Sequence, residues 1–377
     1  MSSVPTSAKL SAPGVRDEEL RLFTMVVSSS DELTPEWFTR TLGAQRSTVI
    51  DVRIDQVGGG AMCQMARASL TWDTANGGPE SAIVKFPTSD AGTLALAQAM
   101  QMYELEVRFY RDLLPHLGNL NTPTCYFAEL DEAMGAFTLV LEDLSGRSRP
   151  GDVLEESTND ECSAVLRELA HLQGASWNSP TTAAMPWLAD PKRTIQVFDS
   201  MPAGLEPWLD RFGHALEPQQ VALFETVIPQ AGKWIRSWNG PSVVQHGDLR
   251  TDNILFSLDP VPRATLLDFQ TVRLGPPGTD PAYFLGSSLS TEARRSAERA
   301  LLAEFHDRLV ATGVSGYDFN DCFRAYREGA LYAVYLFCGL SSQVASSERV
   351  DRVIADQTRR YADMALDLGA AKLAGLM

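Results

Sequence analysis

The segment from residue 246 to residue 270 constrains the fold more than any other part of the chain. Two short apolar runs in it, 254–258 and 264–267, are separated by a turn that contains two prolines. Apolar runs around such a turn predict a hairpin. Because a hairpin returns the chain to its start, Asp268 is expected beside Asn253.

The residues at the two ends of this hairpin are those that phosphoryl transfer needs. Asp248 and Asn253 are five positions apart, the separation found in the protein-kinase catalytic loop. A carboxylate in such a loop accepts or orients the proton of the attacking hydroxyl, and oxygen ligands hold the magnesium ions that neutralise the phosphates. The pattern predicts Asp248 as the catalytic base and Asn253 and Asp268 as ligands of Mg²⁺. The alternative is a surface turn rich in Asp and Asn.

Glycines upstream agree with a nucleotide-binding loop. Residues 49–54 and 66–72 are predicted strands, and Gly58, Gly59 and Gly60 lie between them. Without a Cβ, glycines let backbone N–H groups approach phosphate oxygens. A plain hairpin turn explains the three glycines equally well.

Lys85 is the charged residue of an apolar strand at 82–86. A lysine in such a run needs an acidic partner if it is buried, because its charge loses hydration. The next helix is predicted over about Leu94 to Leu114, and Glu106 lies nearer the centre of its apolar stripe than Glu104 does. We therefore expect Lys85 to pair with Glu106, with Glu104 as the other candidate. The alternative is an edge-strand lysine that reaches water.

A further strand pair, 124–128 and 135–141, leads into a polar segment that begins at Glu142. If the preceding strands form a nucleotide-covering lobe, the segment from Glu142 to Leu144 is the hinge. Its backbone groups are then placed to bind the adenine edge. An ordinary strand end followed by a loop fits the same residues.

Taken together, these segments resemble the aminoglycoside phosphotransferase and choline kinase superfamily, and within it the ecdysteroid-kinase-like branch. The residues that carry the resemblance are Lys85, 106–110 (EVRFY), 139–144 (LVLEDL), 246–253 (HGDLRTDN), 268–270 (DFQ) and 280–285 (DPAYFL). The resemblance implies a protein-kinase-like fold and transfer of the ATP γ-phosphate to a small-molecule hydroxyl. It also implies that Lys85 anchors the phosphates, that His246 supports the loop, and that Asp280 ties down the segment after the metal site.

Two positions depart from the pattern of the superfamily. Gln173 stands where a histidine is usual, in a helix that serves packing, and Arg250 occupies a position that is often aromatic. An arginine two residues after the base is able to give bidentate hydrogen bonds to the γ-phosphate. We therefore include Arg250 with Asp248 among the catalytic residues.

The predicted fold class is α+β, a bilobal protein-kinase-like fold. Its small N-lobe is an antiparallel sheet with one long helix, and its larger C-lobe is helical. The expected divisions are a flexible tail at 1–30, a nucleotide-covering lobe at 31–144 and a C-lobe with the acceptor pocket at 145–377. Helices are predicted in the C-lobe at 158–177, 205–216, 218–238, 292–312, 320–339 and 349–376.

Charge and cysteine content exclude several classes of partner. The net charge of −16 makes nucleic acid and anionic membrane unsuitable partners. Residues 1–144 carry 10 basic and 19 acidic side chains (−9) and the remainder 22 and 29 (−7). The larger lobe is thus no more acidic than the smaller, and its charge does not favour a cationic antibiotic. The five cysteines show no metal-binding spacing, which indicates reduced thiols of a cytoplasmic protein. The expected oligomeric state is a monomer or a homodimer, and the sequence does not decide between them.

The expected function is therefore an ATP- and Mg²⁺-dependent kinase that acts on a hydroxyl of a small molecule, including an apolar or sterol-like alcohol. Two alternatives stay open. One is a catalytically silent, nucleotide-binding pseudokinase, and the other is an antibiotic phosphotransferase. Neither the choice between ATP and GTP nor the acceptor follows from the sequence.

Overall fold

The structure is a computed structural model that describes residues 25–43, 47–58, 62–75, 77–341 and 347–377. The chain divides into two compact units. The first consists of the described part of Met1–Ala95 together with Cys125–Leu141, and the second consists of Leu96–Thr124 and Glu142–Met377.

A sheet forms the centre of the first unit. Within the described residues it has five strands, in the order β1-β2-β3-β5-β4. The pairs β1/β2, β2/β3 and β4/β5 are antiparallel. The strands are β1 (Val49–Gln56), β2 (Cys63–Trp72), β3 (Ser81–Pro87), β4 (Cys125–Asp131) and β5 (Ala136–Glu142).

The alternation of strand side chains explains where the core of this unit lies. Ala82, Val84 and Phe86 of β3 are fully buried on one face, as expected for residues two apart in a strand. Helix α1 (Pro35–Leu42) packs on this core through Trp37 and Phe38. The N-cap of α1 is Thr34, whose side chain accepts a hydrogen bond from the Trp37 N–H.

The region predicted as one long helix is interrupted. It contains α2 (Ala91–Ala99), α3 (Met102–Arg108) and a π-helical turn (Phe109–Leu113). Gln101, between α2 and α3, has a φ of 56°, a left-handed conformation that an α-helix does not contain. The sequence pattern predicts a continuous helix across this break, because glutamine is an ordinary helix former and gives no stop signal.

The second unit is mainly helical and contains two small sheets, with the orders β10-β7 and β6-β8-β9 among the described residues. Its strands are β6 (Ser148–Pro150), β7 (Val243–Gln245), β8 (Ile254–Ser257), β9 (Ala264–Leu266) and β10 (Arg273–Gly275). Its α-helices after Glu142 are α4 (Asn159–Ser176), α5 (Pro180–Ala183), α6 (Pro186–Ala189), α7 (Lys192–Ser200), α8 (Leu205–Phe212), α9 (Pro218–Val227), α10 (Ala231–Arg236), α11 (Thr279–Ser288), α12 (Thr291–Ala311), α13 (Phe319–Ser341), α14 (Glu348–Asp367) and α15 (Ala370–Leu373).

The predicted α+β fold, with an antiparallel sheet first and a helical remainder, is confirmed. The long helices α4, α12 and α13 lie within a residue or two of their predicted bounds. Helix α4 begins with a capping box in which Thr158 and Glu161 each bind the other's backbone N–H. No helix in the described ranges combines the length and the hydropathy required to cross a bilayer.

Helix α11 is buried along its whole length, and it positions the residues that support the candidate site. Its start lies directly against α13 at two glycines. A Cβ added at Gly278 would overlap the Ala325 backbone, and one added at Gly329 would overlap the Gly278 backbone. Only glycine permits this approach of two main chains.

This contact reverses the usual effect of a glycine-to-alanine change in a helix. Alanine normally favours a helix over glycine by about 1 kcal/mol, but in Gly329→Ala the new methyl group meets the Gly278 backbone. We expect a destabilisation of about 1–3 kcal/mol from overpacking, measured by chemical denaturation. Gly92→Ala in α2 is the matched control, because a Cβ there meets only the Asp90 side chain at 3.5 Å. A gain in stability for Gly329→Ala would contradict the proposed close packing.

Candidate active site

The predicted hairpin is confirmed, and it brings the two ends of the candidate site together. Strands β8 and β9 are antiparallel, with Ile254 opposite Leu266. The Leu267 N–H donates to the Asn253 carbonyl at 2.9 Å, so Asp268 follows a residue that is directly bonded to the catalytic loop.

His246 is fully buried and joins the same two segments. Its Nε2 lies 2.8 Å from the Leu267 carbonyl, and its Nδ1 accepts the Asp248 backbone N–H at 3.3 Å. A carbonyl only accepts, so Nε2 donates this hydrogen bond. His246 thus supports the loop, as the resemblance implied.

Asp280, at the start of α11, holds the beginning of the loop. Its Oδ2 accepts the His246 N–H at 2.7 Å, and its Oδ1 accepts the Gly247 N–H at 3.1 Å. Burial raises the pKa of Asp280, whereas the interactions with His246 and Arg273 and the two N–H donors oppose this rise. Asp280 therefore bonds α11, which follows the candidate metal ligand Asp268, to the segment that precedes Asp248.

The Asp248 carboxylate is bound by three side chains. Arg250 Nε and the Tyr283 hydroxyl donate to Oδ1 at 3.0 and 2.9 Å, and Asn253 Nδ2 donates to Oδ2 at 3.1 Å. Burial would raise the pKa of Asp248, but the Arg250 charge and the Tyr283 hydrogen bond outweigh it, so the pKa is lowered. Asp248 is an ionised carboxylate of fixed orientation and weak basicity.

The Asn253 side chain is oriented so that its amide oxygen could bind a metal ion. Its Nδ2 binds both the Asp248 carbonyl, at 2.8 Å, and the Asp248 carboxylate, which leaves the amide oxygen Oδ1 as the atom that can bind a cation. Asp268 has a φ of 66°, a strained conformation of the kind that clusters at functional sites. Gln270 Nε2 donates to Asp268 Oδ2 at 3.1 Å.

This donor set fits Mg²⁺ better than a transition metal. No group of three or more His, Cys, Asp or Glu side chains within the described ranges has the geometry of a metal cage. Mg²⁺ is usually held by one or two protein oxygens together with substrate phosphates. One amide and one carboxylate, from Asn253 and Asp268, match that requirement.

The other predicted nucleotide-binding residues lie on both units. Lys85 is 5% exposed and lies on β3, while Glu106 is 2% exposed and lies on α3. Glu104 instead pairs with Arg108, with Oε1 and Nε 2.7 Å apart. The Lys85–Glu106 pair stays a prediction. Gly58 follows β1, and an added Cβ there would meet nothing within 4 Å.

Gly59 and Gly60 lie outside the described residues, so the glycine-loop prediction is not tested at these positions. At the predicted hinge, the Glu142 carboxylate accepts hydrogen bonds from Thr124 N and Oγ1 at 3.1 and 3.0 Å. The Leu144 carbonyl accepts the N–H groups of Arg147 and Ser148, both at 3.1 Å. Because this carbonyl is engaged, the backbone N–H is the group that Leu144 can offer to a nucleotide base.

Two tyrosines contribute to the site in ways that the sequence did not reveal. Tyr283 donates to Asp248, and Tyr332 donates to the Gly247 carbonyl at 2.6 Å. Tyr283 is three residues after Asp280 in α11, a spacing that puts both on one face of a helix. That spacing is the available signal, whereas Tyr332 lies 85 residues from its partner and has no local signal. Trp208, Tyr326, Tyr335 and Phe337 of the second unit are buried as well.

The profile of the phosphotransferase enzyme family matches residues 69–319. The chain belongs to this phosphotransferase enzyme family. No curated protein matches it significantly.

Several solved structures are similar to this phosphotransferase. One is a putative aminoglycoside phosphotransferase of Ralstonia eutropha JMP134, at 15% identity and a TM-score of 0.51, covering 90% of this chain and 97% of that chain. Plasmodium vivax ethanolamine kinase matches at 8% identity, a TM-score of 0.49, and coverage of 86% and 83%. Choline kinase of Streptococcus pneumoniae matches at 16% identity, a TM-score of 0.48, and coverage of 83% and 94%.

The three donors on Asp248 predict how its titration responds to mutation. Tyr283→Phe removes one donor and keeps the ring, so the pKa of Asp248 should rise. Because the wild-type pKa is lowered, the variant should lose stability at neutral pH, and this loss should vanish as the pH falls below both pKa values. Carboxyl NMR titration, with Asp248→Asn for assignment, measures the pKa.

Tyr361→Phe is the matched control for this titration. The Tyr361 ring stacks on Tyr283, with centroids 5.5 Å apart, and its hydroxyl binds the Tyr283 carbonyl at 3.2 Å. It should leave the pKa of Asp248 unchanged. An equal shift in both variants would show that packing, not the hydrogen bond, sets the pKa.

Proposed function

We propose that this chain is an ATP- and Mg²⁺-dependent kinase that transfers the γ-phosphate to a hydroxyl of a small molecule. The proposal depends on one observation: the Asp248 carboxylate is held in place by three hydrogen-bond donors. The loop that contains Asp248 also presents the Asn253 amide oxygen. Membership of the phosphotransferase enzyme family supports the reaction class.

In the proposed reaction, the acceptor hydroxyl oxygen forms a bond to the γ-phosphorus. The bond from that phosphorus to the oxygen bridging to the β-phosphate breaks, and ADP leaves. Asp248 orients the hydroxyl and accepts its proton. A lowered pKa makes Asp248 a weak base, so its main contribution is to position the nucleophile, which is what a loose phosphoryl-transfer transition state requires.

Bound Mg²⁺ supplies positive charge that offsets the charge on the phosphates. Asn253 and Asp268 would hold it. Lys85, oriented by Glu106, would contact the phosphates, and the backbone between Glu142 and Leu144 would bind the base. The acceptor is proposed as an apolar or sterol-like alcohol, which the resemblance to the ecdysteroid-kinase-like branch supports.

Nucleotide binding and turnover test this proposal separately. Calorimetry with Mg²⁺-ATP and Mg²⁺-GTP measures binding, and a panel of hydroxylated metabolites, sterols and antibiotics tests for acceptor-dependent ADP release. Asp248→Asn should retain nucleotide binding and lose turnover by at least about a hundredfold, as for removal of a general base. Nucleotide binding without turnover on any acceptor would instead favour the pseudokinase alternative.

Arg250 is proposed to contact the γ-phosphate through its Nη groups, because its Nε is already bound to Asp248. Arg250→Ala should lower kcat by more than it raises the apparent KM for ATP. Arg263→Ala is the matched control, since Arg263 is an exposed arginine in the β8–β9 turn that pairs with Asp259. Unchanged turnover in Arg250→Ala would remove Arg250 from the catalytic residues.

A further inference from the structure

Two arginines near the catalytic loop differ from the other basic residues around it. Arg193 lies on α7 and Arg273 on β10, and both are partly buried. Arg250 pairs with Asp248, whereas neither Arg193 nor Arg273 forms an ion pair with a carboxylate of the described residues. A partly buried cation without an anionic partner loses hydration and gains no direct ion pair in return.

The guanidinium of Arg273 lies against the loop one residue before Asp248. Strand β10 pairs with β7, which places Arg273 opposite Gln245. A Cβ added at Gly247 would be 2.8 Å from Arg273 Nη1. The Arg273 guanidinium carbon lies 4.6 Å from the centre of the Tyr332 ring, a cation–π contact that fixes the side chain.

Arg193 shares the environment of Arg273. Its Nη2 donates to the carbonyl of Val272, the residue before Arg273, at 3.4 Å. Burial and then the charge on Arg273 lower the pKa of Arg193 to about 10. The two like charges repel one another, and an anion bound between them would relieve this repulsion.

The carboxylates in this neighbourhood are engaged elsewhere. Glu104 and Asp190 are near enough to act on Arg193 electrostatically. However, Glu104 binds Arg108 at 2.7 Å, and Asp190 accepts a backbone N–H at 2.9 Å. Asp280, which feels the charge of Arg273, binds the two loop N–H groups described above. None of them neutralises the arginine pair directly.

We infer that Arg193 and Arg273 form an anion subsite beside Asp248 that binds a carboxylate or phosphate group of the acceptor. This inference rests on the proposed kinase function. Among the apolar or sterol-like alcohols proposed above, it narrows the acceptor to those that also carry a negatively charged group. Guanidinium groups suit this task, since their planar donors match the oxygens of both anions. An acceptor attached at two points would present its hydroxyl to Asp248 in a fixed orientation.

Two competing roles are open to the same arginines. Arg273 alone would offset the buried charge of Asp280, a structural role that gives Arg193 no part. The pair would also suit the phosphates of the nucleotide, which share the chemistry of a phosphate-bearing acceptor. The experiment must therefore separate acceptor, nucleotide and stability.

The test is calorimetric binding to the full-length protein saturated with Mg²⁺ and a non-hydrolysable ATP analogue. The probes are ω-hydroxy carboxylic acids of increasing chain length, each compared with the corresponding diol and amino alcohol. These three share a hydroxyl and a chain and differ in the charge at the far end. We expect one or more acids to bind at least about tenfold more tightly than their diols, the factor that corresponds to about 1.4 kcal/mol.

Arg193→Gln and Arg273→Lys should each reduce this preference to less than about threefold without changing affinity for the nucleotide analogue. The first variant removes a charge, and the second keeps the charge and loses the planar donors. Lys192→Gln is the matched control. It removes the adjacent charge of α7, which is 83% exposed, and should keep the preference intact.

The remaining outcomes each have a definite meaning. If no acid binds better than its diol, or if Arg193→Gln keeps the preference, the anion subsite is refuted. If the variants weaken the nucleotide analogue instead, the arginines serve the nucleotide and the acceptor assignment is wrong. If only Arg273→Lys reduces the preference for the acid, and it also lowers the melting temperature, the role of Arg273 is structural and the subsite is refuted. Failure of the wild type to bind the nucleotide analogue at all would refute the proposed kinase function itself.

Discussion

The position of the catalytic loop depends on one buried carboxylate, that of Asp280, which accepts the backbone N–H groups of His246 and Gly247. The carbonyl of Gly247 is held at the same time by the Tyr332 hydroxyl. With both polar groups of Gly247 engaged, the peptide planes on either side of this residue cannot rotate freely. Gly247 has a φ of 85°, a conformation that glycine adopts at little cost. Hydrogen bonds to its main chain thus fix the loop independently of the Asp248 side chain.

A fixed loop changes what the proposed reaction requires of Asp248. Arg250, Tyr283 and Asn253 stabilise the ionised form of Asp248, and each therefore weakens it as a proton acceptor. This would be a disadvantage for a reaction that needs early removal of a proton. In phosphoryl transfer through a loose transition state, the hydroxyl keeps its proton until the bond to phosphorus has begun to form. An oriented carboxylate of low pKa then serves better than a strong base of uncertain position.

The hairpin, the long helices α4, α12 and α13 and the antiparallel strands of the first unit were predictable because each depends on local signals, such as turns and periodic apolar residues. The helices predicted over 218–238 and 349–376 are each interrupted in the structure. The interruption at Gln101 was not, since its left-handed conformation has no signal in the residue type. The short helices α5, α6 and α7 were missed because four to nine residues are too few to show a helical period. In the site, Asp248, Asn253 and Asp268 follow from spacing along the chain. Tyr332 and the Arg193–Arg273 pair come together only through the tertiary fold.

Because the Arg193–Arg273 pair comes together only in the tertiary structure, the overall charge of the chain is a poor guide to the acceptor. The chain carries a net charge of −16, but the Debye length at physiological ionic strength is only about 8 Å, so distant surface charges are largely screened. The groups that an acceptor meets are the nearest ones. They include negative charge at Asp248 and on the phosphates, which would repel an anionic acceptor, and the guanidinium groups of Arg193 and Arg273, which would attract it. In the proposed site, such an acceptor would bind only with its anionic group toward the arginines and its hydroxyl toward Asp248, so the opposition of the two charges would itself select the reactive orientation.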